Sequence, residues 1–128
     1  MTGRMLAALA AILVMNANVA QAQINLLAKQ CPGNAAAEIT LPEQNAEQDR
    51  AAAREIAAQA AGRKICLLGW VDATDGGIST RMLIRRIGGI SDTLTMNGVQ
   101  PLRISNELRP IGAATRNLAR QVQIIFYR

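Results

Sequence analysis

The stretch KICLLGWVDATDGGISTRMLIRR, residues 64–86, decides how this chain is read. Its first part, Lys64 to Asp72, is apolar on both alternating faces: Ile65, Leu67 and Val71 on one, Cys66, Leu68 and Trp70 on the other. Burial on both faces is what the central strand of a layered domain needs. A turn-rich link, Ala73 to Gly77, follows, and a helical pattern then runs from near Ser79 to Asn97-Gly98. Leu83, Ile87, Ile90 and Leu94 fall within a narrow arc when each residue is turned by about 100°. On that wheel Arg81 and Arg85 face solvent, whereas Arg86 lies about 60° from the arc's centre, on the rim facing the sheet edge. A carboxylate at a strand end therefore stands opposite a guanidinium on the next helix. Such a pair suits a ligand that carries both an ammonium and a carboxylate. Gly88 and Gly89 each cost this helix about 1 kcal/mol relative to Ala, so they need a reason such as close packing.

Working outward, Glu38 to Leu41 is a short strand ended by Pro42. Asn45 and Gln48 form a capping-box pattern that opens a helix, and Gly62 can stop it. Along this helix Ala53, Ile56, Ala57 and Ala60 make a narrow apolar stripe suited to close packing on a sheet. Beyond Gly98, Val99 to Ile104 reads as a short strand and Asn106 to Gly112 as a Pro/Gly-containing loop. Ala113 to Ala119 reads as a helical turn. Gln121 to Tyr127 reads as a last strand with Val122, Ile124 and Phe126 on one face. The order is β-α-β-α-β-β, which implies an α+β domain with one sheet and helices packed against it.

Residues 1–22 read as a secretory signal peptide: Arg4, an apolar run from Met5 to Met15, and an Ala-x-Ala site at Ala20-Gln21-Ala22. That run is too short for the roughly 20 residues a spanning helix needs, so membrane contact is expected only through the leader, if it is retained. Export places the chain in the periplasm. In that oxidising compartment Cys31 and Cys66, with no third cysteine, most simply form one disulfide. The bridge would tie a lead-in segment, residues 23–38, over the face of the central strand that the helices leave free. The chain has no histidine and only two thiols, so neither a metal site nor a cofactor is expected. Without histidine, and with no carboxylate pair matched to a nucleophile, an enzyme is not expected either.

Charge is uneven. Gln23 to Asp75 holds five basic and seven acidic residues, whereas Gly76 to Arg128 holds eight arginines against Asp92 and Glu107. A cationic half suits an anionic partner, or it is simply a soluble surface. Nucleic acid is not expected, because Trp70, Phe126 and Tyr127 are not interleaved with the arginines as a stacking platform would be.

From Ile39 to Arg128 the chain resembles the OmpA-like (outer-membrane-protein-A-like) C-terminal domain, which binds peptidoglycan. Gly69-Trp70-Val71-Asp72 is similar to the family's Gly-His-Thr-Asp segment. Arg85-Arg86 followed by Met96-Asn97-Gly98-Val99 is similar to its Arg-Arg-Ala helix ending in Gly-Val. Arg103-Ile104-Ser105 with Arg109-Pro110, and Arg120-Gln121-Val122-Gln123-Ile124, fall where the family has its Arg-Pro and its Asn-Arg-Arg-Val-Glu-Ile. The resemblance implies one mixed sheet with helices on one face. It also implies non-covalent binding of the diamino acid of the peptidoglycan stem peptide, with Asp72 on the ammonium and Arg86 on the carboxylate. Trp70 and Arg120 are additional candidate contacts, to the ligand or to a partner. From the residues alone, Asp72 reads first as a turn or capping carboxylate and Arg86 as half of a surface ion pair.

Several positions depart from the family pattern. Trp70 and Val71 replace a His and a Thr, Ala119 replaces an Asn, and the loop from Pro110 to Arg120 is about four residues short. These losses keep a second reading open, in which the fold serves as a protein-interaction subunit of an envelope or secretion assembly. Trp70 and the 121–127 strand, read as an edge strand, would then be the candidate contacts.

Overall fold

A computed structural model describes residues 31–60 and 62–128; the expected signal peptide, residues 1–22, and residues 23–30 of the expected lead-in lie outside them. Four strands and two long helices follow one another as β1 (Ala37–Leu41), α1 (Ala46–Ala60), β2 (Lys64–Val71), α2 (Ile78–Met96), β3 (Ile104–Pro110) and β4 (Val122–Tyr127). The sheet order is β1-β4-β2-β3. β2 runs parallel to β3 and antiparallel to β4, and β4 is antiparallel to β1, so the sheet is mixed and the fold is α+β.

Local chemistry sets the helix ends. Asn45 Oδ1 accepts from Gln48 N at 2.8 Å, and Asn45 N donates to Gln48 Oε1 at 3.1 Å, the reciprocal capping box that opens α1. Gly98, with φ of 100°, carries the chain out of α2 in the left-handed region that glycine alone enters freely.

The two faces of β2 bury different things. Ile65 and Leu67 join Val122, Ile124 and Phe126 of β4 against Ala53, Ile56, Leu83, Ile87, Ile90 and Leu94 of the helices. Cys66, Leu68 and Trp70 face the other way, with Ile125 and Tyr127, under Cys31. The disulfide Cys31–Cys66, with its Cα atoms 5.6 Å apart, fastens the start of the described chain over that second face. Gly69 belongs to the helix-facing row. A Cβ there would lie 2.9 Å from Leu108 Cδ2 and 3.0 Å from Ile87 Cδ1, so its bare backbone is what lets α2 and β3 close on β2.

The last strand is not an edge strand, because β4 pairs with β1 on one side and β2 on the other. Two further expectations are corrected. The third strand is not Val99–Ile104: a 3-10 turn occupies Pro101–Arg103, and the strand takes Ile104–Pro110, where a loop is expected. Pro101 has no N–H for a ladder and opens the turn instead. The polar strand that follows pairs only with β2, in the register Ile104 to Ile65 and Leu108 to Gly69. Its Glu107, buried on the disulfide face, accepts from the Cys31 amide and from Arg109 Nε. The second correction concerns Gly88 and Gly89. A Cβ at either meets nothing within 4 Å, so close packing within the described chain does not explain them.

Candidate functional site

The end of β2 passes into α2 through a loop built around Ser79. This fully buried side chain accepts from Asp72 N and donates to Asp72 O, both at 3.0 Å. Both oxygens of Asp75 accept from Ser79 N at 3.1–3.2 Å, and this supplies the cap that Gly77 at the head of α2 cannot. Burial pushes the Asp75 carboxyl up, but the Ser79 bonds and Arg120 outweigh it and hold the group below its usual range.

Asp72 points out of this loop. Its Oδ1 accepts from Thr74 Oγ1 at 2.6 Å and Thr74 N at 2.9 Å, whereas Oδ2 has no partner among the described residues. Those two Thr74 bonds are the main reason its carboxyl lies below the ordinary value, so Asp72 is a ready anion at neutral pH.

Arg86 does not stand opposite Asp72. It is 8% exposed and sits beneath α1, where Nε and Nη2 grip Asp49 Oδ2 and Oδ1, each at 2.8 Å. Nη2 also donates to Pro42 O at 2.7 Å and Nη1 to Arg120 O at 3.0 Å. The fork–fork pairing that a ligand carboxylate would make is thus made by the chain's own Asp49. The wheel put Arg86 on the rim of the helix face. The position is correct, but the carboxylate of α1 folds over it and closes it from solvent.

Trp70 is likewise covered. It is 7% exposed, its Nε1 donates to Gln123 Oε1 at 2.9 Å, and Arg109 Cζ lies 5.6 Å from the ring centroid. It is a core residue of the second face, not a surface contact. Arg120 lies closer to the site. Its backbone, at φ of 65°, donates to Trp70 O, while its half-exposed guanidinium reaches Asp75 at 3.3 Å and Glu43 at 3.8 Å.

The open space beside Asp72 is a groove of about 490 Å³ between the β2–α2 loop and the link from β3 to β4. Asp72 and Thr74 form one wall, Ile111, Ala113 and Ala119 supply an apolar floor, and Arg116 lines the groove from the β3–β4 link. Arg116 is exposed and makes no ion pair among the described residues. An unpaired anion and an unpaired cation thus line one groove. Sequence reasoning missed Arg116, because the only signal was a charge inside a short loop. The 3-10 turn Ala113–Leu118, together with the bond from Ile111 N to Val71 O at 2.9 Å, folds that loop back to the end of β2.

No family model matches the chain, and no curated protein sequence does. Among solved structures it is similar to the periplasmic domain of Helicobacter pylori MotB. The identity is 18% and the TM-score 0.51, over 77% of this chain and 83% of that one. At that identity the likeness is one of fold: the mixed sheet and the two helices on its face are shared with a periplasmic domain.

Proposed function

We propose that this chain is an exported, non-enzymatic cell-envelope domain that binds the peptide stem of peptidoglycan non-covalently in the groove between Asp72 and Arg116. The observation that carries the reading is that two opposite charges, neither in an ion pair among the described residues, line that one groove. Asp72 takes the ammonium of the stem's diamino acid on its open Oδ2, and Arg116 takes a carboxylate. Ile111 and Ala113 lie under the aliphatic part. The resemblance to the OmpA-like domain supplies the ligand class and the role of Asp72. Arg86, which the same resemblance would place on the carboxylate, becomes part of the frame, and Arg120 contributes by holding Asp75 and the loop. The leader-like N-terminus and the disulfide support a periplasmic location.

A pull-down on purified sacculi tests this. Charge-assisted hydrogen bonds contribute about 1.5–3 kcal/mol, so Asp72→Ala and Arg116→Ala should each weaken binding roughly tenfold or more. Equal binding by the variants, or none by the wild type, would sink the wall reading. One observation favours the second reading, a protein-interaction subunit: Asp49 closes the very guanidinium that the resemblance assigns to the wall. Absence of wild-type binding to sacculi would leave that reading standing.

A further inference from the structure

The end of the sheet away from the groove carries a different chemistry. β2 and β3 begin there side by side, with Ile65 paired to Ile104, so Lys64 and Arg103 adjoin and Arg63 precedes them. Arg103 donates to Gly62 O, which ties the 3-10 turn to the end of α1. Arg63, Arg103, Asn97 and Gln100 line one hollow of about 340 Å³. Segments 62–64 and 96–104 contain no carboxylate, and Arg63, Lys64 and Arg103 make no ion pair among the described residues. Going back or on along the chain, the first acids are Glu55, Asp72, Asp92 and Glu107; Asp72 lies beyond the far end of β2, and Glu107 is already committed to Arg109.

From this same basic end rise Leu102, 97% exposed, and Met96, 84% exposed. Ile78, the other large apolar side chain left exposed among the described residues, sits at the opposite end of α2. A single exposed apolar residue needs no explanation. Two apolar tips on a surface of unpaired cations do, and the combination fits one partner. A soluble polyanion would use the cations and give Leu102 and Met96 nothing to enter. An anionic bilayer uses both, since its headgroups attract Lys and Arg while its acyl boundary takes short apolar side chains.

We infer that this end of the domain docks on an anionic lipid surface, with Leu102 and Met96 entering the boundary between headgroups and acyl chains and Arg63, Lys64 and Arg103 on the headgroup phosphates. The bilayer thereby gains a contact that does not depend on the leader. The inference is independent of the wall reading, because the basic end and the Asp72 groove lie at opposite ends of β2, about 25 Å apart at strand rise.

The test is sedimentation with vesicles of mixed phosphatidylglycerol and phosphatidylcholine, and with vesicles of phosphatidylcholine alone. The chain is purified from an exporting host and its N-terminus read by mass spectrometry. Each cation near an anionic surface contributes about fivefold in partitioning, and an inserted Leu roughly tenfold. The wild type is expected to bind the mixed vesicles in preference to the neutral ones. Arg63→Gln with Lys64→Gln should lose about 25-fold, and Leu102→Asn about tenfold. All three positions are exposed or partnerless, so circular dichroism should stay unchanged. Asp72→Ala should bind vesicles as the wild type does, which separates this result from the sacculus assay. A wild type that stays in the supernatant, equal binding to both vesicle types, or Leu102→Asn binding like the wild type would overturn the inference. The last outcome would assign the basic end to a soluble polyanion.

Discussion

Asp49→Ala provides the sharpest test of how this domain is built. Asp49 is 3% exposed and its carboxylate grips Arg86 with two bonds of 2.8 Å, so its removal strands the charge of a residue that is itself only 8% exposed. The two carbonyls that Arg86 also reaches, Pro42 O and Arg120 O, are dipoles and cannot neutralise it. Breaking a buried pair from one side costs about 3–5 kcal/mol. For a domain of this size each kcal/mol moves Tm by about 4–8 °C, so a fall on the order of 20 °C is expected. The assay is urea unfolding followed by far-ultraviolet circular dichroism, where the midpoint should drop with little change in slope. Arg86→Ala should fall by a similar amount. The double variant Asp49→Leu with Arg86→Met should recover part of the loss, because no charge is then left unpaired. It should not recover all, since the two carbonyls lose their donor, at roughly 1–3 kcal/mol each if they stay dry. An Asp49→Ala protein within about 1 kcal/mol of wild type would refute the reasoning. So would an Arg86→Ala protein of unchanged stability that has lost sacculus binding, and that result would return Arg86 to the ligand.

Three further outcomes follow from the geometry. Gly69→Ala and Gly88→Ala should move stability in opposite directions. The first forces a Cβ to 2.9 Å from Leu108 and should cost about 1–3 kcal/mol, whereas the second enters open space on a helix and should gain about 1 kcal/mol in the same unfolding assay. Cys31→Ser with Cys66→Ser opens a loop with a sequence separation of 35 residues and should cost about 4 kcal/mol. Hydrogen exchange in residues 64–72 should rise with it, and unchanged protection would show that the lead-in does not cover that strand. Asp72 is held below its usual pKa by Thr74, so any stability it contributes is present above the unfolded value of about 3.9 and is lost as pH falls through the lower folded value. Sacculus binding through Asp72 should persist to the same low pH. Thr74→Val removes the Oγ1 bond and should move the loss of binding to higher pH, and superimposable profiles would mean that Thr74 does not tune the group.

How much of this could be read in the sequence depended on whether the determinant was local. The two-faced apolar run at 64–71, the capping box at Asn45 and Gln48 and the phase of Val122, Ile124 and Phe126 are local patterns, and each appears as expected. The third strand was hidden because β3 is defined by its pairing to β2, not by its own alternation. Its charged Glu107 is satisfied by the Cys31 amide, 76 residues away in sequence. The site was half legible. Asp72 lies where the strand ends, and its bonding to Thr74 is only two residues long. The partner of Arg86 was not legible, because Asp49 is 37 residues distant and sits on α1 as one more first-turn acid, fit for the helix dipole. A helical wheel can say that Arg86 faces inward from the rim, but not which carboxylate is waiting there.

The Arg86 network also explains why a binding assay alone would mislead about this site. Arg86 Nη1 donates to the carbonyl of Arg120, and the amide of the same residue donates to Trp70 O at 2.8 Å. Residue 120 is thereby pinned between α2 and the end of β2, in a left-handed conformation that a non-glycine residue holds only when its surroundings enforce it. Ala119, immediately before it, forms part of the groove floor, and the Arg120 side chain steadies Asp75, which caps the helix behind Asp72. Removing Arg86 should therefore disturb both the floor and one wall of the groove without any contact between Arg86 and a ligand. Weakened sacculus binding in an Arg86 variant is expected on either account. What separates them is the unfolding midpoint, which moves only if the guanidinium belongs to the frame.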